Sequence, residues 1–449
     1  MSTTTMGKHQ EDHFHYKSWL VIVGLTVIAL RTNAQTRLSL DQALALAREN
    51  NQWNKIAYQE QLVSIADYND SRNAILPQIT MGAFYQRFSK VTLFSDGLWD
   101  SRSITRIPGP NSAGTSVEAS MNLYTGGRQK TQIQEQKQRS DLAALNLLEQ
   151  ESSISLQVCV QYFELVNSIE QQKLVGEQLA RAETRLNNIR VLYKNTRVTR
   201  NDVLRSEVVL ANVQLLAEKV MNDRRIIANR LKLLLNKKDE EDIVPTDSAR
   251  IALPITMPPS ADQYGSAGSS FLVRKAMIAE EISQTRLTLV RSNYRPTLAL
   301  FGAYNLSYPN NLFFPPVDQA YSVGFVGLRV QYQLSSLYHN KYKESAATVR
   351  IQIAKQAEQN VADNVTDQIT ALYIKYQESL TRIAVAKRTI EQTEDNYRIV
   401  STRYYNQLAL LIDLLDADNL FQESKYSLVR AQVDALNYYH QLRFAQGTL

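Results

Sequence analysis

A single cysteine in 449 residues excludes an internal disulfide. Cys159 falls among Ile154, Val158 and Tyr162 on an apolar helical stripe and reads as a small core residue. Histidine is nearly as scarce. Of the five, His9, His13 and His15 sit in the N-terminal leader, and His339 and His440 have no metal-ligand partner at helical spacing. No zinc site and no cofactor are therefore expected. Only 15 glycines and 11 prolines interrupt the chain, too few to punctuate several compact domains. Glutamine, leucine, alanine and arginine crowd the long segments between them, the composition of extended helices. No stretch beyond the N-terminus is apolar and long enough to span a bilayer as a helix. The net charge of +6 is spread without a basic cluster, so no nucleic-acid surface is expected. No nucleophile–base constellation, phosphate loop or metal motif appears, and the chain does not read as an enzyme.

What is present begins with a leader. Lys17 precedes an apolar run, Leu20 to Leu30, and Thr32-Asn33-Ala34 supplies small residues for cleavage before Gln35. Residues 1–34 thus read as a secretory signal peptide; the run is about half the length a membrane span needs. No cysteine follows the cleavage site, which excludes a lipid anchor there. The mature protein is expected outside the inner membrane.

Two periods alternate along the mature chain. Leu38 to Ala74 has helical spacing, with Ser39 as N-cap, and ends at Pro77. At about 78–88, Ile79, Met81, Ala83 and Tyr85 alternate with polar or small residues as a one-sided strand. Leu93 to Gly114 reads as a long loop. A second strand, about 115–124, sets Val117, Ala119, Met121 and Leu123 against Glu118, Ser120 and Asn122, and Thr125-Gly126-Gly127 ends it. Arg128 to Lys194 then reads as one helix of roughly 100 Å at about 1.5 Å per residue. A shorter helix returns from Asp202 to Asn236. Residues 237–270 form a linker with Pro245, Pro254, Pro258 and Pro259. The order then recurs: a helix over Phe271–Ser292, strands at about 297–306 and 322–334, a long helix from Lys341 to Tyr404, and a returning one from Asp413 to Phe444.

The recurrence is sharpest where the helices turn. Leu192 to Leu204 and Arg403 to Leu415, about 211 residues apart, align Tyr193 with Tyr404, Asn195 with Asn406 and Asp202 with Asp413. Asp413 and Asp416 share one helix face. A chain that repeats its hairpin tips is expected to contain two copies of one unit, 35–236 and 271–449, with tips near 195–202 and 404–416.

Four strands of about ten residues, apolar on one side and polar on the other, match membrane β-strands. Four cannot close a barrel, and an open edge is intolerable in lipid, so the edges must pair with other copies. Three copies give twelve strands, with Glu118 and Arg329 on the polar side lining a wet interior. The alternation alone also fits, less well, a soluble sheet with one solvated face. Strand loops and helix tips belong at opposite ends of an elongated body, and the helices need neighbours to bury their stripes.

The ordered set resembles the TolC family of outer-membrane efflux and secretion channels. It comprises the duplicated helix-strand-strand-helix unit, Ala74-Ile75-Leu76-Pro77, Tyr124-Thr125-Gly126-Gly127, Asp413-Leu414-Leu415-Asp416 and Gln446-Gly447-Thr448-Leu449. The resemblance covers Leu38 to Leu449. It implies an α+β membrane protein: a homotrimer whose four strands per protomer form a twelve-stranded barrel among outer-membrane lipids, continuous with a helical coiled-coil barrel in the periplasm. It also implies a passive exit duct for efflux or type I secretion. Its partners would be a periplasmic adaptor (membrane fusion) protein and, through it, an inner-membrane pump of the RND or ABC type. The competing reading is a non-channel surface coiled-coil scaffold or adhesin.

Residues follow from that resemblance one at a time. Asp413 and Asp416 occupy the places of the paired gate aspartates, where carboxylates from three copies would favour cations; helix-start carboxylates facing water explain them equally well. Asp202 and Tyr404 match two members of the tip lock, and Asn195, Thr196, Asn406 and Gln407 sit at the adaptor-docking tips. The family's lock arginine is here Ala409, with Arg197 or Arg200 as substitutes. The glycine usual in each tip is Thr196 in one copy and Gln407 in the other. The proline common in the strands leaving the barrel is Asn122 and Gln333.

Overall fold

A computed structural model describes residues 36–94, 97–104, 109–237, 243–246, 267–312 and 317–449. The leader expected at 1–34 and most of the 237–270 linker lie outside the described residues. The elements, in order, are β1 (Thr36–Leu38), α1 (Leu40–Asn50), α2 (Gln52–Asn73), β2 (Gln78–Arg87), β3 (Val91–Leu93), β4 (Arg102–Ile104) and β5 (Asn111–Tyr124). There follow α3 (Arg128–Lys194), α4 (Arg200–Leu234), β6 (Ile243–Pro245), α5 (Phe271–Ser292), β7 (Thr297–Tyr308), β8 (Tyr321–Gln331), α6 (Lys341–Tyr405) and α7 (Leu411–Ala445). The contacts divide the chain into two units.

One unit, Lys55–Gln150 with Gly265–Gln368, holds an antiparallel sheet in the order β2-β5-β7-β8. Its register sorts side chains into two unlike faces, because cross-strand partners share a face. Ile79, Ala119 and Gly302 stand in one row across β2, β5 and β7, continued by Val326 in β8. Met81, Val117, Tyr304 and Gly324 form the next row, and Met121, Leu300 and Leu328 another. These three rows are apolar, and the next sets Thr115 and Ser322 beside Ala83 and Leu306; yet Met81 is 78% exposed and Val326 81%. The opposite face carries Thr80, Glu118, Ser120, Asn305, Gln331 and Arg329. Three phenylalanines interrupt it, and glycines make room for two of them. The ring of Phe84 lies so close to Gly114 that a Cβ there would stand 2.7 Å from it, and Phe301 covers Gly327.

Two sequence expectations shift here. β5 begins at Asn111, within the expected loop, and β4, inside that stretch, pairs with β3 at its start. The apolar alternation read through Leu123 breaks at a bulge between Asn122 and Tyr124, so Tyr124 opposes Leu298 instead. A bulge adds one residue and reverses the phase of those after it. Beyond the bulge the chain turns through Gly126 (φ +65°) and Gly127 (φ +88°) into α3. A Cβ on Gly126 would come within 2.6 Å of the Cβ of Arg295, so only glycine fits. Ion pairs tie the helices of this unit: Arg286 to Glu135 at 3.0 Å, Lys275 to Glu149 at 2.5 Å and Arg291 to Glu344 at 2.8 Å.

The other unit comprises Met1–Asn54, Glu151–Tyr264 and Ile369–Leu449. β1 pairs in parallel with β6. Ser39 caps α1, accepting from Gln42 N–H at 3.3 Å while Gln42 accepts from Ser39 N–H at 3.1 Å. Ala43 and Ala47 pack on Ile154, Val158, Cys159 and Tyr162 of α3, with Leu231 of α4 and Val433 and Leu436 of α7. Burial there pushes the Cys159 thiol up to about 12, which makes it the inert core residue its sequence neighbours suggest. Among the described residues no helix is long and apolar enough to cross a membrane.

Candidate functional site

Both helix tips use one backbone solution. Thr196 (φ +55°) and Gln407 (φ +64°) are left-handed. Arg197 N–H donates to Leu192 C=O at 2.9 Å, and Leu408 N–H donates to Arg403 C=O at 2.8 Å. These six-residue closures satisfy the last carbonyls of α3 and α6 without glycine. The two residues standing where glycine was expected therefore adopt the glycine conformation. Asn195, Thr196, Asn406 and Gln407 are all exposed.

The aspartates that follow are first-turn residues of α4 and α7. Asp202 accepts from Thr199 N–H at 2.9 Å and from the Thr199 hydroxyl at 2.7 Å, while Thr199 accepts from Asp202 N–H at 3.3 Å. Asp413 accepts from Leu410 N–H at 2.9 Å. Leucine has no oxygen to return, so the second tip keeps only half of the box. Asp413 and Asp416 are exposed on one side of α7, while Leu411, Leu414 and Leu415 bury the other with Ile189 and Tyr404.

Tyr404 is buried, and its hydroxyl has no partner among the described residues. Burial first, and then the nearby Asp202 charge, push its phenol up to about 12. Asp202 and Tyr404 are neighbours without a hydrogen bond between them in the protomer. The carboxylate is engaged by its own helix cap.

A stronger polar link lies farther along the same helices, and sequence reasoning missed it. Asp418 of α7 is 2% exposed and takes Arg181 Nε at 3.0 Å and Arg185 Nη2 at 2.5 Å, both from α3. Arg181 also donates to Gln422 Oε1 at 2.7 Å, and Gln422 donates to Leu174 C=O at 3.0 Å. The cluster joins the hairpin α3–α4 to the hairpin α6–α7. Single charges on a helix resemble a solvated face, and these partners are more than 230 residues apart.

On the sheet, Arg329 and Glu118 share the polar face, as their alternation required. The Arg329 guanidinium lies over the Phe301 ring at 4.5 Å. Phe301 in turn meets Phe325 edge-on at 5.9 Å.

No family model matches the chain. It is 20% identical to outer membrane protein TolC of Salmonella enteritidis in an alignment of 456 residues, covering 96% of this chain and 86% of the relative. The outer membrane protein VceC of Vibrio cholerae superposes with a TM-score of 0.76 at 16% identity, over 91% of this chain and 96% of that one. The open state of the MtrE outer membrane channel of Neisseria gonorrhoeae does so with a TM-score of 0.75 at 17% identity, over 91% and 88%. The resemblance to TolC therefore spans nearly the whole chain, and the fold is that of these outer-membrane proteins: mostly helical, with a small antiparallel sheet.

Proposed function

We propose that the chain is one protomer of a homotrimeric outer-membrane channel of the TolC kind, a passive duct carrying molecules from the periplasm or a pump to the exterior. The sheet carries this reading. Three successive rows of one face are apolar and lie open, which suits contact with lipid rather than water. β2 and β8 each have one neighbour among the described strands, so the sheet has two free edges. Hydrocarbon does not tolerate free edges. Because four antiparallel strands alternate in direction, β8 of one copy meets β2 of the next antiparallel, and three copies close twelve strands around the face bearing Glu118 and Arg329.

The two halves of the chain act as copies of one unit. α4 and α7 are each 35 residues long and begin about 211 residues apart. Their tips repeat the same left-handed turn. The exposed Asn195, Thr196, Asn406 and Gln407 dock a periplasmic adaptor, which connects the duct to an RND or ABC-type pump of the inner membrane. Asp413 and Asp416, exposed on one face, form the cation-favouring rings of the periplasmic gate. Tyr404, whose hydroxyl has no partner among the described residues, joins Asp202 in the polar links that hold the tip closed between copies. No residue here carries chemistry on the cargo.

A surface scaffold or adhesin would not need an exposed sheet with three successive apolar rows on one face. Single-channel recording in planar bilayers tests the proposal. Stepwise currents from a purified trimer are expected; a trimer that passes no current under any condition would overturn it.

A further inference from the structure

The Asp418 cluster leaves one guanidinium incompletely matched. Two arginines converge on a single carboxylate, and Arg181 has additional acceptors in Gln422 and, at 4.0 Å, in the exposed Glu177. Arg185 has no such second acceptor among the described residues. It is 5% exposed, and its Nη1 has no partner among the described residues. A buried guanidinium nitrogen without an acceptor is costly, and so is a buried positive charge that its surroundings do not balance.

Arg185 also lines a cavity of about 250 Å³ between α3, α4 and α7. Gln178, Asn212 and Asn419 supply amides to its wall, Asp418 supplies a carboxylate, and Val213 and Leu415 supply apolar surface. The Oε1 of Gln178 is likewise buried without a partner. Since amide oxygen and nitrogen are assigned from their neighbours, an acceptor placed here would turn the Gln178 amide to donate. A water molecule occupies about 30 Å³ of liquid, so the space suits a small ion with some of its hydration.

We infer that this cavity is a binding site for a small monovalent anion of the halide class, held by Arg185 Nη1 and the surrounding amides. The anion completes the charge balance of the Arg181–Arg185–Asp418 cluster and so strengthens the junction between the two hairpins. Asp418 does not exclude it, because both carboxylate oxygens are already committed to guanidinium groups. The inference rests on packing within one unit and stands whether or not the chain conducts.

Two measurements test it on the full chain in detergent. In the first, chloride replaces gluconate at constant ionic strength while thermal unfolding is followed. The midpoint is expected to rise by a few degrees and to saturate, because a ligand bound only to the folded state stabilises it by mass action. The Arg185→Gln variant should lose this dependence. Identical midpoints in the two salts would overturn the inference, as would a rise that never saturates. The second measurement needs no variant and so is safe from a folding failure. A crystal grown in bromide should show anomalous density within hydrogen-bonding distance of Arg185 Nη1; ordered water alone at that position would contradict the assignment.

Discussion

The two tip hairpins share a backbone and differ in where they keep their charge. Glu207 and Asp418 occupy equivalent places, about 211 residues apart, on the returning helices α4 and α7. Glu207 pairs with Arg190 of its own hairpin at 2.7 Å, and both side chains are about half exposed. Asp418 is buried and reaches the other hairpin. Thr199 completes a reciprocal cap with Asp202, whereas Leu410 leaves half of Asp413's capacity free. Tyr193 is 44% exposed, while its counterpart Tyr404 is 5% exposed. At these positions the first hairpin satisfies its polar groups locally. The second buries some of them against the first and leaves Asp413 and Asp416 facing outward. In the proposed channel the two tips keep one turn geometry while the second becomes the charge-presenting one.

The largest break in this comparison should come from Asp418→Leu. Removing one partner of a buried pair strands the Arg185 charge, at a cost of about 3–5 kcal/mol. Glu207→Ala, at the exposed equivalent, should cost less than ~1 kcal/mol. Denaturant unfolding of both variants measures the contrast, and equal losses would erase it. Replacing the charges together, as Arg185→Met with Asp418→Leu, should recover most of the loss, because apolar groups of similar volume often substitute for a buried pair.

A second comparison sets the tips' free carboxylates apart. Asp413→Ala with Asp416→Ala is expected to weaken block of the pore by multivalent cations severalfold. Asp202→Ala should leave block nearly intact, since Asp202 serves its own cap. Unchanged block in the double variant would remove Asp413 and Asp416 from the gate.

Smaller effects sharpen the backbone side. Left-handed geometry costs a non-glycine residue roughly 1–2 kcal/mol. Thr196→Gly and Gln407→Gly should therefore each raise stability by up to about 1 kcal/mol after the entropic cost of glycine. The β-branched Thr196 should gain more. A loss at either tip would show that its turn is held by the side chain.

The smallest expected effect is at Tyr404. Its phenol stays protonated in the fold up to about 12, above the ordinary value near 10. The unfolded chain therefore loses that proton first as pH rises. Stability from this group is complete below pH 10 and declines as the pH climbs toward 12. Tyr404→Phe should flatten this part of the alkaline unfolding curve and slightly raise conductance. An unchanged conductance would leave Tyr404 as a packing residue.

Much of this fold was legible because lipid-type strands and long helices announce themselves locally. Ile79, Met81, Val117, Leu298 and Leu300 alternate cleanly, and α3 fills the whole interval from Arg128 to Lys194 that lacks proline. Asn111 to Gly114 did not read as strand, because glycine, asparagine and serine carry no β preference. Their pairing with β2 is a tertiary effect. The bulge at Leu123 was hidden for a similar reason, since a change of phase appears only against the partner strand. At the candidate site, Asp202 and Asp413 were visible from their positions at helix starts. The left-handed Thr196 and Gln407 were suggested by place rather than residue type. The Arg181–Arg185–Asp418 cluster gave no local signal, because nothing near Asp418 in the chain foretells burial against residues of the other hairpin.

Trapping the sheet edges tests the central claim most directly. In a Cys159→Ala background, single cysteines scanned along β2 and β8 would be oxidised in the membrane and resolved by denaturing electrophoresis. Covalent trimers from specific β2–β8 pairs are the expected outcome. Chains that remain monomeric for every pair, while the protein stays folded in the membrane, would contradict a barrel completed by neighbouring copies.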